Sequence, residues 1–309
     1  MKSIALTLLV IVLFAANLVV GSTMEYDSFI ILSLRLPAAV TALIAGAALS
    51  GSGLVMQTLF RNPLADPSIL GVSAGAGLGA AIALLAFGSF GLTPTFAFAG
   101  ALAVISLLTA ASRRVRGTTG LLIVGVMLSF LIGSLTSLLS FFATAEGVRS
   151  YVIWGMGDFS GVPADRLILY AATAIPFLIA ALFAARPLDA LLLGPDYARS
   201  LGIDPQHWRT ALLVGVGWLT ALTTALCGPI SFLGLAVPHV ARVVSTTARH
   251  RTLIPLTLLL GSATAEACLL LTHLPAALGL THSVLPLSAL TPLFGAPIVI
   301  RLLTKANKN

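Results

Sequence analysis

At 309 residues the chain is 58% hydrophobic and only 9% charged, with a mean hydropathy of +1.05. Soluble proteins carry roughly 25% charged residues, so these side chains cannot coat a water-soluble body, and a polytopic helical membrane protein is the class that remains. The net charge of +7 does not mark a nucleic-acid binder, because the basic residues sit in small groups beside apolar runs, as loops under the positive-inside rule do.

Unbroken apolar runs such as residues 167–184 exclude a transmembrane barrel, whose strands alternate apolar and polar with a period of two. Measured against the roughly 20 residues of a spanning helix, the chain is all-α with about ten transmembrane helices. They are predicted at 3–21, 37–59, 68–88, 94–112, 119–143, 166–185, 209–227, 229–246, 253–272 and 284–303. The eighth is interrupted by Pro229, Gly234 and Pro238. Lys2 and the apolar run 4–20 resemble a signal peptide, but the run is long for one and reads as a first span. An inside N-terminus puts Arg61, Arg113, Arg114, Arg116, Arg186, Arg199, Arg209, Arg242, Arg249, Arg251, Arg301, Lys305 and Lys308 in inner segments. Arg35, Arg149 and Arg166 stay outside, so both termini are expected in the cytoplasm.

After Arg35 and Pro37 a helix runs to the proline-punctured knot Arg61-Asn62-Pro63-Leu64-Ala65-Asp66-Pro67. Irregular backbone survives near a membrane only against water or packed in protein. A pore constriction and a tight cytoplasmic turn both satisfy that. Two longer segments follow. Outside, residues 144–165 carry Tyr151, Trp154 and Phe159, which read as an interfacial aromatic belt. Inside, residues 186–208 read as two short helices split at Gly194-Pro195 and ended by Gly202 and Asp204-Pro205. Their apolar positions Tyr197, Leu201 and Ile203 suit a partner's groove or the membrane interface equally.

Catalytic signals are weak. The only lysines are Lys2, Lys305 and Lys308, so no phosphate-binding P-loop exists in the chain. Gly71-Val72-Ser73-Ala74-Gly75 matches a nucleophile elbow, but that motif needs a preceding strand. Its extension to Gly79 instead gives the small-xxx-small spacing of close helix packing, leaving Ser73 proteolysis a distant third reading. Cys227 and Cys268 form no CxxC, and His207, His239, His250, His273 and His282 include no i,i+4 pair, so neither disulfide, metal nor cofactor is expected. Glu266 is the one acid deep in an apolar run. It is read as a neutral group hydrogen-bonded between helices, with a proton carrier as the alternative.

Several ordered motifs resemble a known family. R-L-P at 35–37, Q-x-L-F-x-N-P-L-A-x-P at 57–67 and L-G-V-S-x-G-A-G at 70–77 are similar to the permeases for cobalamin, ferric siderophores and haem. W-x-M-G-x-F at 154–159, L-G-x-x-x-A-R-x-L-G-I at 193–203, G-x-I-x-F-x-G-L-x-x-P-H-x-x-R at 228–242 and L-P-x-x-x-x-T-x-x-x-G-A-P at 285–297 continue the match. The resemblance implies a type II ABC importer permease, residues 1–309 forming one transmembrane domain with its coupling segment at about 186–208. It also implies a homodimer in the bacterial inner membrane, an ATPase dimer beneath it and an extracytoplasmic substrate-binding protein above. The chain itself is then no enzyme.

The resemblance further implies roles for matched positions. Asn62 and Leu64 match one cytoplasmic gate, and Thr118 and Thr119 a second, before a pathway-lining fifth span. Leu193, Gly194, Ala198, Arg199, Leu201 and Gly202 match the ATPase-coupling helices, and Arg35 an outer contact to the binding protein. Where relatives carry a second outer arginine this chain has Ala38, a third aligns with His273, and Val284 replaces a glutamate. Arg35 is therefore expected to carry most of that contact, with Arg149 or His273 assisting. An iron–siderophore is the expected cargo, with haem, cobalamin and oxyanions as alternatives. A proton-coupled carrier using Glu266 is the rival class.

Overall fold

A computed structural model describes residues 2–21, 27–115, 118–245, 247–281 and 283–306. Among the described residues the chain is helical and contains no strand. Apolar segments this long must satisfy their own backbone groups, and the helix does so within each segment. The first half supplies α1 (Lys2–Val19), α2 (Ser28–Leu59), α3 (Val72–Ala86), α4 (Thr93–Arg114), α5 (Thr118–Phe142) and α6 (Ala145–Gly155). The second half supplies α7 (Ala164–Phe183), α8 (Ala185–Leu193), α9 (Pro195–Ser200), α10 (Pro205–Cys227), α11 (Leu233–Ser245), α12 (His250–Ala277) and α13 (Leu287–Ala306). Six of these (α2, α4, α5, α7, α10 and α12) are long and apolar enough to cross a membrane, and α1, α3 and α11 are shorter apolar helices. With α13, they coincide with the ten predicted spans.

The boundaries differ at Pro37, where the sequence predicts that a helix opens. Helix α2 begins at Ser28, capped by the Asp27 side chain, and runs through both Arg35 and Pro37. A π-turn over Ile31–Arg35, in which the Leu36 N–H donates to the Ile31 carbonyl, widens the helix just before Pro37. That local adjustment accommodates a residue without an N–H. Pro238, Pro255 and Pro275 also lie inside helices.

The chain divides into two compact units, and the division at 51/52 falls within α2. In the unit of residues 1–51, 156–182 and 230–309, α12 packs against α1, α11 and α13. Its contact with the first part of α2 is made by small residues: a Cβ on Gly46 would overlap the Gly261 carbonyl. The Ser50 hydroxyl donates to the Gly46 (2.7 Å) and Thr257 (3.1 Å) carbonyls, and Ser262 to that of Leu43 (2.8 Å). Between lipid-embedded helices, such close approach and hydroxyl bonding replace the hydrophobic effect as the source of association.

In the unit of residues 52–155 and 183–229, α3, α4 and α10 form the core. Gly75 and Gly79 lie against the α4 backbone at Gly100 and Phe96, as the small-xxx-small spacing predicts. Gly71 differs: it is left-handed (φ 80°) and follows a 3-10 turn, Pro67–Leu70, not the strand a nucleophile elbow requires. Phe98 and Trp218 meet edge-to-face at 5.3 Å between α4 and α10.

Candidate functional site

Helix α2 ends in a paired C-terminal cap. The Arg61 N–H donates to the Thr58 carbonyl (3.2 Å) and the Asn62 N–H to that of Gln57 (3.1 Å). The pivot of such a cap is left-handed and usually glycine. Here it is Arg61, with φ 48°, a conformation that costs a side-chain-bearing residue roughly 1–2 kcal/mol. Its guanidinium donates from Nε (3.3 Å) and Nη2 (3.1 Å) to the Leu191 carbonyl near the end of α8.

From Arg61 onward the knot is bonded nearly residue by residue. The Asn62 Oδ1 accepts the Leu64 N–H (2.9 Å), and the Asn62 carbonyl accepts the Ala65 N–H (3.0 Å). The Asp66 Oδ1 accepts the Ser68 N–H (2.8 Å) and hydroxyl (2.5 Å), capping the 3-10 turn. Leu64 is left 45% exposed. Burial pushes the Asp66 carboxyl up from the usual range, and the Ser68 bonds oppose that shift. With a raised folded-state pKa, its contribution to stability is present at acid pH and lost as pH rises through that value. Asp66→Asn, which keeps the acceptor without the charge, is therefore expected to raise the melting temperature more at neutral pH than near the ordinary aspartate pKa of about 3.9. Asp66→Ala loses the cap, at about 1 kcal/mol. Thermal unfolding in detergent checks both.

The predicted pair of cytoplasmic helices is α8 and α9, split at Gly194 (φ 130°) and Pro195. The Gly202 N–H donates to the Arg199 carbonyl and the Ile203 N–H to that of Ala198, both at 3.0 Å. This is the same cap as at Arg61, here with glycine at the pivot (φ 75°). Asp204 then caps α10, with Pro205 in its first turn. Leu188 and Ala198 are fully buried, while Leu193 (67%), Tyr197 (47%) and Leu201 (56%) are exposed. Ile203, predicted on the apolar face, is half-buried. Arg199 pairs with Asp196 at 2.8 Å on the surface.

Thr118 and Thr119 open α5; Thr119 is exposed, and the side chain of Thr118 lies outside the described residues. Two turns further on, a Cβ at Gly125 would touch the Leu70 backbone at 2.9 Å, so the end of the 3-10 turn rests directly on α5. Beyond it α5 carries an open groove lined by Ser129, Gly133, Ser134, Ser137 and Phe141. The Ser134 and Ser137 hydroxyls bond back to carbonyls one turn earlier, which keeps them compatible with a largely apolar helix.

Of the predicted outer contacts, Arg149 on α6 is exposed. Arg35 is 7% exposed, and its Nη1 donates to the Leu18 (3.1 Å) and Val19 (2.7 Å) carbonyls at the end of α1. Half-buried His273 sits 3.5 Å from the Ser160 hydroxyl. The predicted aromatic belt is incomplete. Tyr151 and Trp154 stack at 6.1 Å, but Phe159 is 1% exposed and anchors its loop.

Glu266 is fully buried and joined to α1. The Asn17 Nδ2 donates to its Oε2 (2.7 Å) and to its carbonyl (3.0 Å), the interhelical bond predicted for it.

A model of the FecCD transport family matches residues 3–305. The chain belongs to that family. The FecCD chain is 40% identical over 281 residues to the vitamin B12 import system permease protein BtuC of Escherichia coli O157:H7 and of Shigella flexneri. Those alignments cover 89% of this chain and 83% of each relative. A metal-chelate type ABC transporter solved in an inward-facing conformation shares 30% identity and superposes with a TM-score of 0.89, covering 98% of this chain and 99% of that one. PsaBC from Streptococcus pneumoniae, in complex with Fab, shares the fold at a TM-score of 0.58 and 14% identity, over 87% of this chain and 90% of that one. The FecCD chain is the membrane-spanning permease of an ABC importer.

Two residues of this FecCD permease escaped the sequence reading. Asn17 is a polar residue in an otherwise apolar span, and its presence there was the available sign of a partner for Glu266. Arg61 is predicted as an inner charge and the first residue of the knot, with no sign of its own bond, although it occupies the position just past a helix where glycine is the usual residue.

Proposed function

We propose that this permease imports a metal chelate, received from an extracytoplasmic binding protein and driven by a separate ATPase dimer, with both termini in the cytoplasm. The observation that carries the reading is the α8–α9 pair. Its exposed Leu193, Tyr197 and Leu201 stand on a frame closed by Gly194 and Gly202, a docking surface that a self-sufficient carrier has no use for. Leu193, Gly194, Ala198, Arg199, Leu201 and Gly202 accordingly form the coupling site.

Residues 1–309 act as one permease domain, which the continuous family match over residues 3–305 supports, and two copies form a homodimer. The hydroxyl-bearing groove of α5 lines the path between the copies, and Asn62, Leu64, Thr118 and Thr119 gate its inner end. Arg149 meets the binding protein directly. Arg35, in α2 and turned onto α1, and His273, in α12, contribute to the same recognition. Cobalamin and iron–siderophores are both metal chelates, and the likeness to vitamin B12 permeases favours cobalamin as the second cargo to try. Proteoliposomes holding the permease and its ATPase are expected to accumulate labelled ferric siderophore or cyanocobalamin only when ATP and binding protein are supplied. Accumulation by the permease alone under a proton gradient overturns the reading.

A further inference from the structure

We infer that Arg61 is a strut joining the ATPase-docking pair α8–α9 to the gate residues 62–67. The inference rests on the proposed role of that pair. Glycine would close the α2 cap without strain, yet an arginine is held left-handed there (φ 48°). What the side chain adds is a forked grip on the Leu191 carbonyl, from Nε at 3.3 Å and Nη2 at 3.1 Å. That carbonyl belongs to the negative end of α8, where a cation is favoured. Gly194 makes room for the grip, since a Cβ there would lie 3.3 Å from the Arg61 Nη2.

The other end of the strut is equally firm. Arg61 shares its cap with Asn62, whose side chain holds the Leu64 N–H, and Pro63 and Pro67 stiffen the backbone between them. Asp66 ties the run to the turn whose last residue, Leu70, rests on α5 at Gly125. The path from α8 through Arg61 and the knot to α5 is therefore a continuous set of hydrogen bonds and close contacts, all inside one compact unit. Protein N–H···O hydrogen bonds span about 2.7–3.2 Å, so at 3.1 and 3.3 Å the grip already stands at the long end of that range. A shift of α8 larger than rotation of the Arg61 side chain can absorb breaks the grip or carries the knot with it.

The test compares Arg61→Gly and Arg61→Asn with the parent in complexes reconstituted with the ATPase and binding protein. Both replacements tolerate the left-handed backbone and neither reaches Leu191. Agreement between them separates loss of the side chain from the added flexibility of glycine. Each is made alone and with Leu64→Cys; native Cys227 and Cys268 are buried, so the new thiol reports the gate. Both variants are expected to co-purify with the ATPase and hydrolyse ATP within about twofold of the parent rate. Uptake per ATP is expected to fall at least about tenfold, with loss of the nucleotide-dependent change in labelling of the introduced thiol. Unchanged uptake per ATP and labelling in both variants overturns the inference, as does loss of ATPase binding, which would make Arg61 part of the docking surface. A parent complex that neither binds the ATPase nor transports would instead overturn the proposed function.

Discussion

Gly79→Ala is expected to reduce the yield of folded permease sharply and to lower stability by about 1–3 kcal/mol, the range for overpacking a filled interior. The Cβ would overlap the Phe96 carbonyl and stand 2.8 Å from the Ala97 nitrogen. Both are backbone atoms of α4, so no side chain can swing away, and the helices must separate. Separation would be felt at Gly75, where an added Cβ would lie 2.6 Å from the Gly100 carbonyl, and so along the whole α3–α4 contact. Size-exclusion profiles and thermal unfolding in detergent measure the effect. A conservative control is Gly91→Ala, where no atom lies within 4 Å of an added Cβ. Equal behaviour of the two variants would refute close packing as the reason for the glycine.

Replacing Glu266 separates structure from energy coupling. Glu266→Leu removes the 2.7 Å side-chain acceptor of the Asn17 amide, which keeps the Leu13 and Glu266 carbonyls at 3.1 and 3.0 Å, a loss of about 0.5–1.5 kcal/mol. Glu266→Gln keeps the shape and a carbonyl acceptor for Asn17. It is expected to leave the melting temperature near that of the parent and to hold ATP-driven uptake within about twofold. A proton carrier predicts otherwise for the amide: a normal fold and abolished transport. Uptake measured alongside unfolding in both variants decides between them, because the structural role predicts that the two quantities move together.

The two substitutions also mark how far the linear sequence can be read. The spacing of Gly71, Gly75 and Gly79 announced a packed helix face, since periodicity places i, i+4 and i+8 together whatever the neighbour. It did not tell that Gly71 serves the backbone rather than the face, because a left-handed residue leaves no trace in spacing. Glu266 was legible as a buried polar group, but its partner is 249 positions away, in α1. The α8–α9 pair was legible almost to the residue, because Gly194, Pro195, Gly202 and Asp204-Pro205 are local punctuation whose chemistry is complete within a few positions. Pro37 misled for the opposite reason. Its local meaning is a helix boundary, and the π-turn at Ile31–Arg35 absorbed it.

Composition and apolar run length alone determined that this is a helical protein of the bilayer with about ten spans, because the cost of an unpaired backbone group in lipid permits little else. Ordered local motifs determined where the knot and the docking pair lie. Only the tertiary structure decided that Arg35 turns onto α1, that Asn17 answers Glu266, and that the knot and α8 are held together through Arg61. Each of these is a bond between segments distant in the chain, and a side chain with several donors carries no sign of which distant carbonyl it will meet.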